Sequence, residues 1–384
     1  MARLPLLKPG LGLALVAGLI ACTEPGRAPV ADQVFESDAT SFRLVTVARA
    51  LANPWGMAFL PDGSALVTER DGRLRLLDAD GVLQDAPIAG VPEVWARGQG
   101  GLLDVAVHPD FASNGWVYLS YSEPGDGGAS TAVARGTFTG DALADVTVIW
   151  SDQPKSGGGR HFGSRLAFAP DGTLIVTLGD RGERWRAQDA NDPTGGTLRL
   201  NDDGSIPADN PFAAGGGHPA LFTIGNRNVQ GLAIHPETGA IWTQEHGPRG
   251  GDEVNILEPG ANYGWPVVTH GEEYAGGSIG EGTSKPGLVD PLHVWVPSIA
   301  PSGLTFYDGA ALPAWQGDLF VGALKYQLLV RLELDGTEIV HEERLLEDEI
   351  GRIRDVVQGP DGLLYLLTDE APGGVYRIEP VEAS

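Results

Sequence analysis

The hydrophobic positions of this chain fall in short runs, and one arrangement of them recurs. An apolar run meets a Pro-Asp-Gly turn, then a second apolar run ends in Thr. The first copy runs from Trp55 to Leu60, turns at Pro61, Asp62 and Gly63, and resumes from Ala65 to Thr68. A second turns at Pro170, Asp171 and Gly172 and ends at Thr177, and a third turns at Pro360, Asp361 and Gly362 and ends at Thr368. Looser copies lie around Val105 to Asp110, Leu232 to Glu237 and Leu304 to Gly309. Runs this short, bounded by such turns, predict strands joined in hairpins. Six copies of one hairpin unit predict an all-β fold, a six-bladed β-propeller closed around an axis.

The equivalent mid-strand positions read as Ala58, Ala106, Ala167, Ala233, Thr305 and Val356. Their intervals are 48, 61, 66, 72 and 51 residues. A four-stranded blade needs about 40–50 residues, so the three middle intervals carry insertions. These are rich in glycine: Lys155–Gly159, Asn191–Gly217 and Gly271–Gly287. Long loops on a rigid ring are where function concentrates. The chain has 384 residues with 55 Gly and 28 Pro spread throughout, which leaves no sustained helical period.

A hairpin needs no Arg, His or Gln just before its first strand, yet such residues recur there. Gln99 lies seven residues before Ala106, and His161 lies six before Ala167. Arg227 and Asn228 lie six and five before Ala233; Arg352 and Arg354 lie four and two before Val356. Matched offsets in a quasi-symmetric ring mean matched height and radius. If the first strand is innermost, these side chains meet at one mouth of the channel. Together with Lys325 they make a cationic pocket on a chain of net charge −25. Such a pocket calls for a ligand bearing several carboxylates or phosphates. The alternative for each Arg is a local carboxylate, as Asp355 could serve Arg354.

His161 follows three glycines and is the natural general base in this set. Asp180 follows the strand ending near Leu178 and could orient His161 or cap a turn. His108 and His235 sit in His-Pro turns and read as structural. The stretch Glu245 to Glu253 and the stretch Asn262 to Pro266 combine acids, glycines and exposed carbonyls. They suit calcium, or are an ordinary acidic loop.

Arg3, Lys8 and the apolar run Leu11–Ile20 form a leader, too short to span a bilayer. It ends in Leu19, Ile20, Ala21 and Cys22, a bacterial lipoprotein box, and Cys22 is the only cysteine. The expected organisation is a signal peptide over 1–21, a flexible tether over 22–41 and the propeller over 42–384. The expected location is the periplasmic face of the envelope, held by a lipid at Cys22 with the outer membrane favoured, or the soluble periplasm. The negative charge and the lack of a basic stripe exclude a nucleic-acid partner.

Taken in order, the motifs around Pro54 to Phe59, Gly98 to Asp104, Arg160 to Arg165, Gly225 to Asn228, Glu245 to Pro248, Asn262 to Pro266, Pro297 to Ser302, Gly322 to Lys325 and Gly351 to Asp355 resemble the soluble, pyrroloquinoline quinone-dependent aldose dehydrogenases of the glucose/sorbosone dehydrogenase family. The resemblance runs from about Leu51 to Ile378. It implies a six-bladed propeller that oxidises aldoses at C1 to aldonolactones, with pyrroloquinoline quinone (PQQ) and Ca²⁺ as cofactors. It implies that His161 takes the anomeric proton, that Asp180 holds His161, and that Arg227 stabilises oxyanion charge at the quinone. Gln99, Arg227, Asn228, Tyr274, Lys325, Arg352 and Arg354 would bind the quinone. The carbonyls of Gly247 and Pro248 would ligate one calcium, and Glu253 with the Tyr263 carbonyl a second. Electrons would leave to an external acceptor: a quinone, a cytochrome or a dye. At position 296 the chain has Val beside Trp295, so an aromatic wall over the cofactor would come from a neighbour or be absent. Two other readings compete: a calcium-dependent lactonase or hydrolase, which would need a carboxylate-rich axial pocket, and a non-enzymatic binding propeller.

Overall fold

The computed structural model describes Met1 and residues 33–381. Residues 2–32, which carry most of the expected leader, Cys22 and much of the tether, lie outside the described residues. The strands form six sheets. The first strands of the blades are Pro54–Phe59, Leu102–Val107, Leu166–Phe168, Val229–Ile234, Pro301–Phe306 and Ile353–Gln358. Each packs against the first strand of the next blade, and the sixth packs back on the first, so the ring closes. Four blades have four antiparallel strands, the first blade has three, and the last has five.

The last blade explains the closure. Ser41–Leu51 pairs with Gly373–Pro380, near the other end of the chain, so both ends are held in one sheet. Gln33–Glu36 then pairs with Ser41–Leu51. The expected tether through residue 41 is therefore a strand from Gln33, because the sheet edge there offers unpaired backbone groups that the chain fills.

The recurring turn has a local cause. In three units the turn Asp accepts the backbone N–H two residues on: Asp62 from Ser64 at 3.0 Å, Asp171 from Thr173 at 2.9 Å, Asp361 from Leu363 at 3.1 Å. The Gly between them takes positive φ (87°, 83° and 74°), which a side chain disfavours. The closing Thr also has a task. Thr68 accepts the Gly56 N–H and donates to Leu103 O of the next blade. Thr177 accepts the Arg165 N–H at 2.9 Å and donates to Val229 O of the next blade at 3.3 Å.

The apolar core is divided into wedges. One cluster lies between each pair of neighbouring blades, for example Leu66 and Leu74 against Leu102 and Leu119, or Trp242 and Val254 against Leu304 and Val321. Inner strands such as Ala65–Glu69 and Leu319–Ala323 are buried on both faces, so their apolar runs are continuous. The axis itself is polar. Register places Val357, not Val356, opposite Tyr365, the position equivalent to Ala58 opposite Leu66. The expected mid-strand position in the last unit is thus off by one residue.

Two residues before each corrected position stand Gly56, Asp104, Arg165, Gly231, Gly303 and Asp355. Arg165 crosses the axis to Asp355 at 2.8 Å, Asp104 at 3.4 Å and the carbonyl of Gln230 at 2.7 Å. Glycines leave room for this: a Cβ at Gly56 would lie 2.5 Å from an Asp104 oxygen, and one at Gly303 would lie 2.5 Å from an Asp355 oxygen.

Candidate functional site

In an antiparallel blade, the start of the first strand and the end of the second lie at the same end. The loops entering first strands carry Gln99, His161, Arg227, Asn228 and Arg352. The loops leaving second strands carry Arg70, Asp180, His246, Lys325 and Asp369. Both sets converge at one mouth of the ring. An outer cavity of about 760 Å³ is lined by Gln99, His161, Arg227, Gly247, Pro248, Tyr274 and Lys325, among others. A deeper cavity of about 260 Å³ is lined by Trp55, Arg70, Gln230, Arg352, Arg354 and Asp369, among others. Gln99, His246 and Ala300 border both.

His161 Nδ1 lies 2.6 Å from Asp180 Oδ1. Asp180 also accepts the Gly182 N–H at 2.7 Å on the same oxygen and the Trp265 indole N–H at 2.8 Å on the other. A carboxylate held by three N–H donors orients the ring with Nδ1 protonated, leaving Nε2 free as an acceptor. Burial, then the nearby Arg227 and Arg160, hold the His161 pKa below its ordinary value against the pull of Asp180. Burial acts to raise the Asp180 carboxyl, but His161, Gly182 and Arg227 leave it lowered overall. At neutral pH the pair is a neutral imidazole on a carboxylate, the resting state of a general base.

Tight backbone packing sets this geometry. His161 has φ of 55°, and its backbone N–H donates to Gln99 Oε1 at 2.7 Å. A Cβ at Gly179 would lie 2.2 Å from the His161 carbonyl oxygen, so only glycine fits where the two loops cross.

The cations are poorly matched by carboxylates. Arg227 is buried, donates to the carbonyls of His246 and Gly247 at 2.9 Å each, and leaves Nε without a partner. Arg354 pairs with Asp369 at 2.7 Å rather than with its neighbour Asp355, which belongs to Arg165, and its Nε also lacks a partner. Lys325 rests 4.8 Å from the Tyr326 ring, with no carboxylate in reach among the described residues. Arg352 is half exposed and 3.8 Å from Asp369. Asn228 Oδ1 accepts from Gly163 and Gln230. This excess of donors and unpaired positive charge fits a rigid, polyanionic ligand such as a tricarboxylate quinone.

Tyr274 lies on the cavity rim and is 71% exposed. Trp295 turns away and donates to Glu342 at 3.0 Å, so Val296, not an aromatic ring, lines the cavity at that point.

The acidic loop has its own geometry. Glu245 and Glu253 stand directly opposite each other across a ladder, where like charges repel. Burial raises both carboxyls, and Glu253 is pushed well up by burial and then by Glu245. A void of about 10 Å³ beside them, bordered also by Gly247, Tyr263 and Thr269, has room for one small occupant. Asn255, on the same face as Glu253, is buried, and its amide faces that carboxyl. These features fit a cation held by carboxylate and carbonyl oxygens. Among the described residues no three His, Cys, Asp or Glu side chains converge as a metal cage. The axial acids Asp104 and Asp355 are tied up by Arg165 at the other mouth, so the cationic mouth is not the carboxylate-rich pocket a metal-dependent hydrolase needs.

Reasoning from offsets before the first strand missed His246, Arg70 and Asp369, which follow the second strand at the same end. It also missed Trp265, although its motif was visible. His246 is partly buried, its Nε2 lies 2.6 Å from the Pro301 carbonyl, and desolvation with Arg354 and Arg227 lowers its pKa to about 3. It is a neutral wall of the cavity, not a second base.

The glucose/sorbosone dehydrogenase family matches residues 51–377. An aldose sugar dehydrogenase of Escherichia coli K12 is 45% identical over 337 residues, covering 86% of this chain and 91% of that protein. Quinoprotein glucose dehydrogenase B of Acinetobacter calcoaceticus is 30% identical, covering 88% of each chain. The PQQ-bound aldose sugar dehydrogenase of Streptomyces coelicolor superposes with a TM-score of 0.74 at 29% identity, over 91% of this chain and 99% of that one. The likeness to these oxidoreductases runs nearly end to end along the propeller ring: the chain belongs to the glucose/sorbosone dehydrogenase family.

Proposed function

We propose that this protein oxidises aldose sugars at C1 to aldonolactones, using PQQ and calcium. The observation that carries the reading is the His161–Asp180 pair, 2.6 Å apart, facing a cavity whose Arg and Lys groups lack anionic partners. When bound, PQQ supplies a carbonyl that accepts two electrons. Arg227, Lys325, Arg352 and Arg354 would hold its carboxylates and oxygens, with Gln99, Asn228 and Tyr274 beside them.

His161 Nε2 takes the proton of the anomeric hydroxyl. That raises electron density on the hydroxyl oxygen and frees the C1 hydrogen to leave as hydride. Asp180 keeps the Nδ1 proton in place and stabilises the imidazolium that forms. Arg227 would stabilise the oxyanion charge that develops. The carbonyls of Gly247 and Pro248 would hold a calcium that adds Lewis-acid polarisation. Glu253 and the Tyr263 carbonyl would hold a second calcium that neutralises the opposed carboxylates. Electrons pass onward to an external quinone, cytochrome or dye. Export by the leader and a lipid at Cys22 put the enzyme on the periplasmic face of the envelope. No helix of the described residues is long and apolar enough to cross a membrane.

The test is reconstitution. Apoprotein is mixed with PQQ and calcium, and dye reduction is followed with a panel of aldoses. The expected result is turnover that needs both cofactors and falls by about 10²–10⁴-fold in His161→Ala. Absence of quinone binding would overturn the proposal at this site.

A further inference from the structure

Three features of the His161 region meet on one residue that the reaction chemistry does not use. Arg181 directly follows Asp180, and only 2% of it is exposed. Two other buried arginines here have carboxylates: Arg165 has Asp104 and Asp355, and Arg331 has Asp318 and Glu343. Arg181 forms no ion pair among the described residues. Its guanidinium donates instead to three backbone carbonyls: Arg160 through Nη1, and Gly158 and Ala129 through Nη2. Its guanidinium carbon lies over the Phe162 ring, 3.4 Å from the centroid. Burial lowers its pKa to about 10, which leaves it cationic at neutral pH. A buried cation without a counter-ion is costly unless its donors are used.

The carbonyls it holds belong to the loop that delivers His161. Gly157, Gly158 and Gly159 bring no side chains to pack, so ordering them is entropically expensive. One anchor of this loop is Gln99, which donates to Gly159 O at 2.8 Å and accepts from the His161 N–H. The other is Arg181. Its Nη1 grips the carbonyl immediately before His161, and its backbone N–H donates to the His161 carbonyl at 3.3 Å. Arg181 takes φ of 55°, a left-handed conformation that brings its backbone and side chain to the same loop. Its preceding residue, Asp180, holds the imidazole. One dipeptide therefore grips both the ring of His161 and the backbone that carries it.

We infer that Arg181 is a positioning residue: its forked donors lock the Gly158 and Arg160 carbonyls and so fix the His161 imidazole against Asp180 for proton transfer. This inference rests on His161 being the base. Lysine cannot replace the fork, because an ammonium on a flexible stem lacks the planar donor geometry that reaches carbonyls on two sides.

The test uses Arg181→Lys, which keeps the charge, and Arg181→Met, which fills much of the volume without donors. Asp180, Arg160 and Arg227, the charged groups around His161, are untouched by either. Histidine-labelled protein without cofactor is studied by NMR. In the parent, His161 carries its proton on Nδ1 in a slowly exchanging hydrogen bond. In Arg181→Lys that proton signal is expected to broaden or vanish, and the His161 titration midpoint to move toward the ordinary value. The other histidines should be unchanged. In reconstituted protein, kcat is expected to fall about 10²-fold, as for a misplacement of about 1 Å. The sugar KM and quinone binding should stay within about threefold.

A folded Arg181→Lys with parent kcat and a parent His161 spectrum would overturn the inference, whatever its melting temperature, since that is the outcome of a purely structural role. Should Arg181→Met fail to fold, Arg181→Lys carries the test alone. Should the parent show no quinone-dependent turnover, the functional reading falls, and the NMR spectra still decide whether Arg181 holds His161.

Discussion

Replacing Asp180 with Asn tests the base more sharply than deleting His161, because it leaves shape and volume intact. Three N–H groups converge on the two Asp180 oxygens: His161 Nδ1 at 2.6 Å, Gly182 N at 2.7 Å and Trp265 Nε1 at 2.8 Å. An amide has one accepting oxygen. If that oxygen faces His161 and Gly182, the amide NH₂ opposes the Trp265 N–H, and the stranded donors destabilise the fold by about 1–3 kcal/mol. If the amide flips, its NH₂ faces His161 Nδ1 and drives the ring proton to Nε2, where the substrate proton must go. Either orientation also removes the negative charge that stabilises the imidazolium. The expected loss in kcat is about 10²–10⁴-fold, or about 3–5 kcal/mol of activation free energy at about 1.4 kcal/mol per decade. The assay is steady-state dye reduction by reconstituted protein, with quinone binding measured separately by fluorescence. Binding should be retained, since Asp180 does not line the cavity. A folded Asp180→Asn variant that binds quinone and keeps kcat within twofold would refute the assignment of His161 as base.

Four further outcomes follow from the same geometry. His161 is held below its ordinary pKa, so kcat/KM should stay on its plateau as pH falls through about 6.5 and decline only at lower pH, when the base protonates. A plain histidine midpoint at about 6.5 would contradict this. His246 stays neutral in the fold down to about pH 3 while the unfolded chain protonates near 6.5. The unfolded state therefore binds more protons in that window, and His246 should weaken folding by up to about 1.4 kcal/mol per pH unit below 6.5; acid melts of His246→Gln should show a shallower loss. Calcium should raise the melting temperature of the parent and not of Glu253→Gln, while without calcium the variant should melt higher than the parent, because the opposed Glu245–Glu253 repulsion is gone. Arg165→Met leaves Asp104 and Asp355 buried without a counter-ion, and should cost about 3–5 kcal/mol in denaturant unfolding.

Much of the site was readable one side chain at a time, and the misses share a cause. Offsets before the first strand located Gln99, His161, Arg227, Asn228, Arg352 and Arg354, since quasi-symmetry turns sequence distance into height. The same reasoning applied after the second strand would have found His246, Arg70 and Asp369. Pairing was harder. Asp355 is the sequence neighbour of Arg354, yet alternate residues of a strand point to opposite sides, so Asp355 serves Arg165 and Arg354 reaches Asp369. In the last unit the mid-strand position stands three residues before Pro360, as Ala58 stands before Pro61, so Val357 rather than Val356 is its equivalent. Gln33–Glu36 reads as part of a flexible tether because its residues gain strand structure only from a sheet edge built by distant parts of the chain.

The sequence by itself determined the strand hairpins, the number of blades and the ring. Turn chemistry at Asp62, Asp171 and Asp361 is local, and six repeats of one unit can bury their apolar faces only against each other. It also determined the sign of the pocket, because the cationic residues recur just before or at the start of first strands. Only the tertiary structure decided which of those cations remain unpaired, that His161 and Asp180 meet at 2.6 Å, and that Glu245 opposes Glu253. Those facts depend on side-chain direction and on loops crossing at glycines, both set by contacts between residues far apart in the chain, which no local pattern encodes.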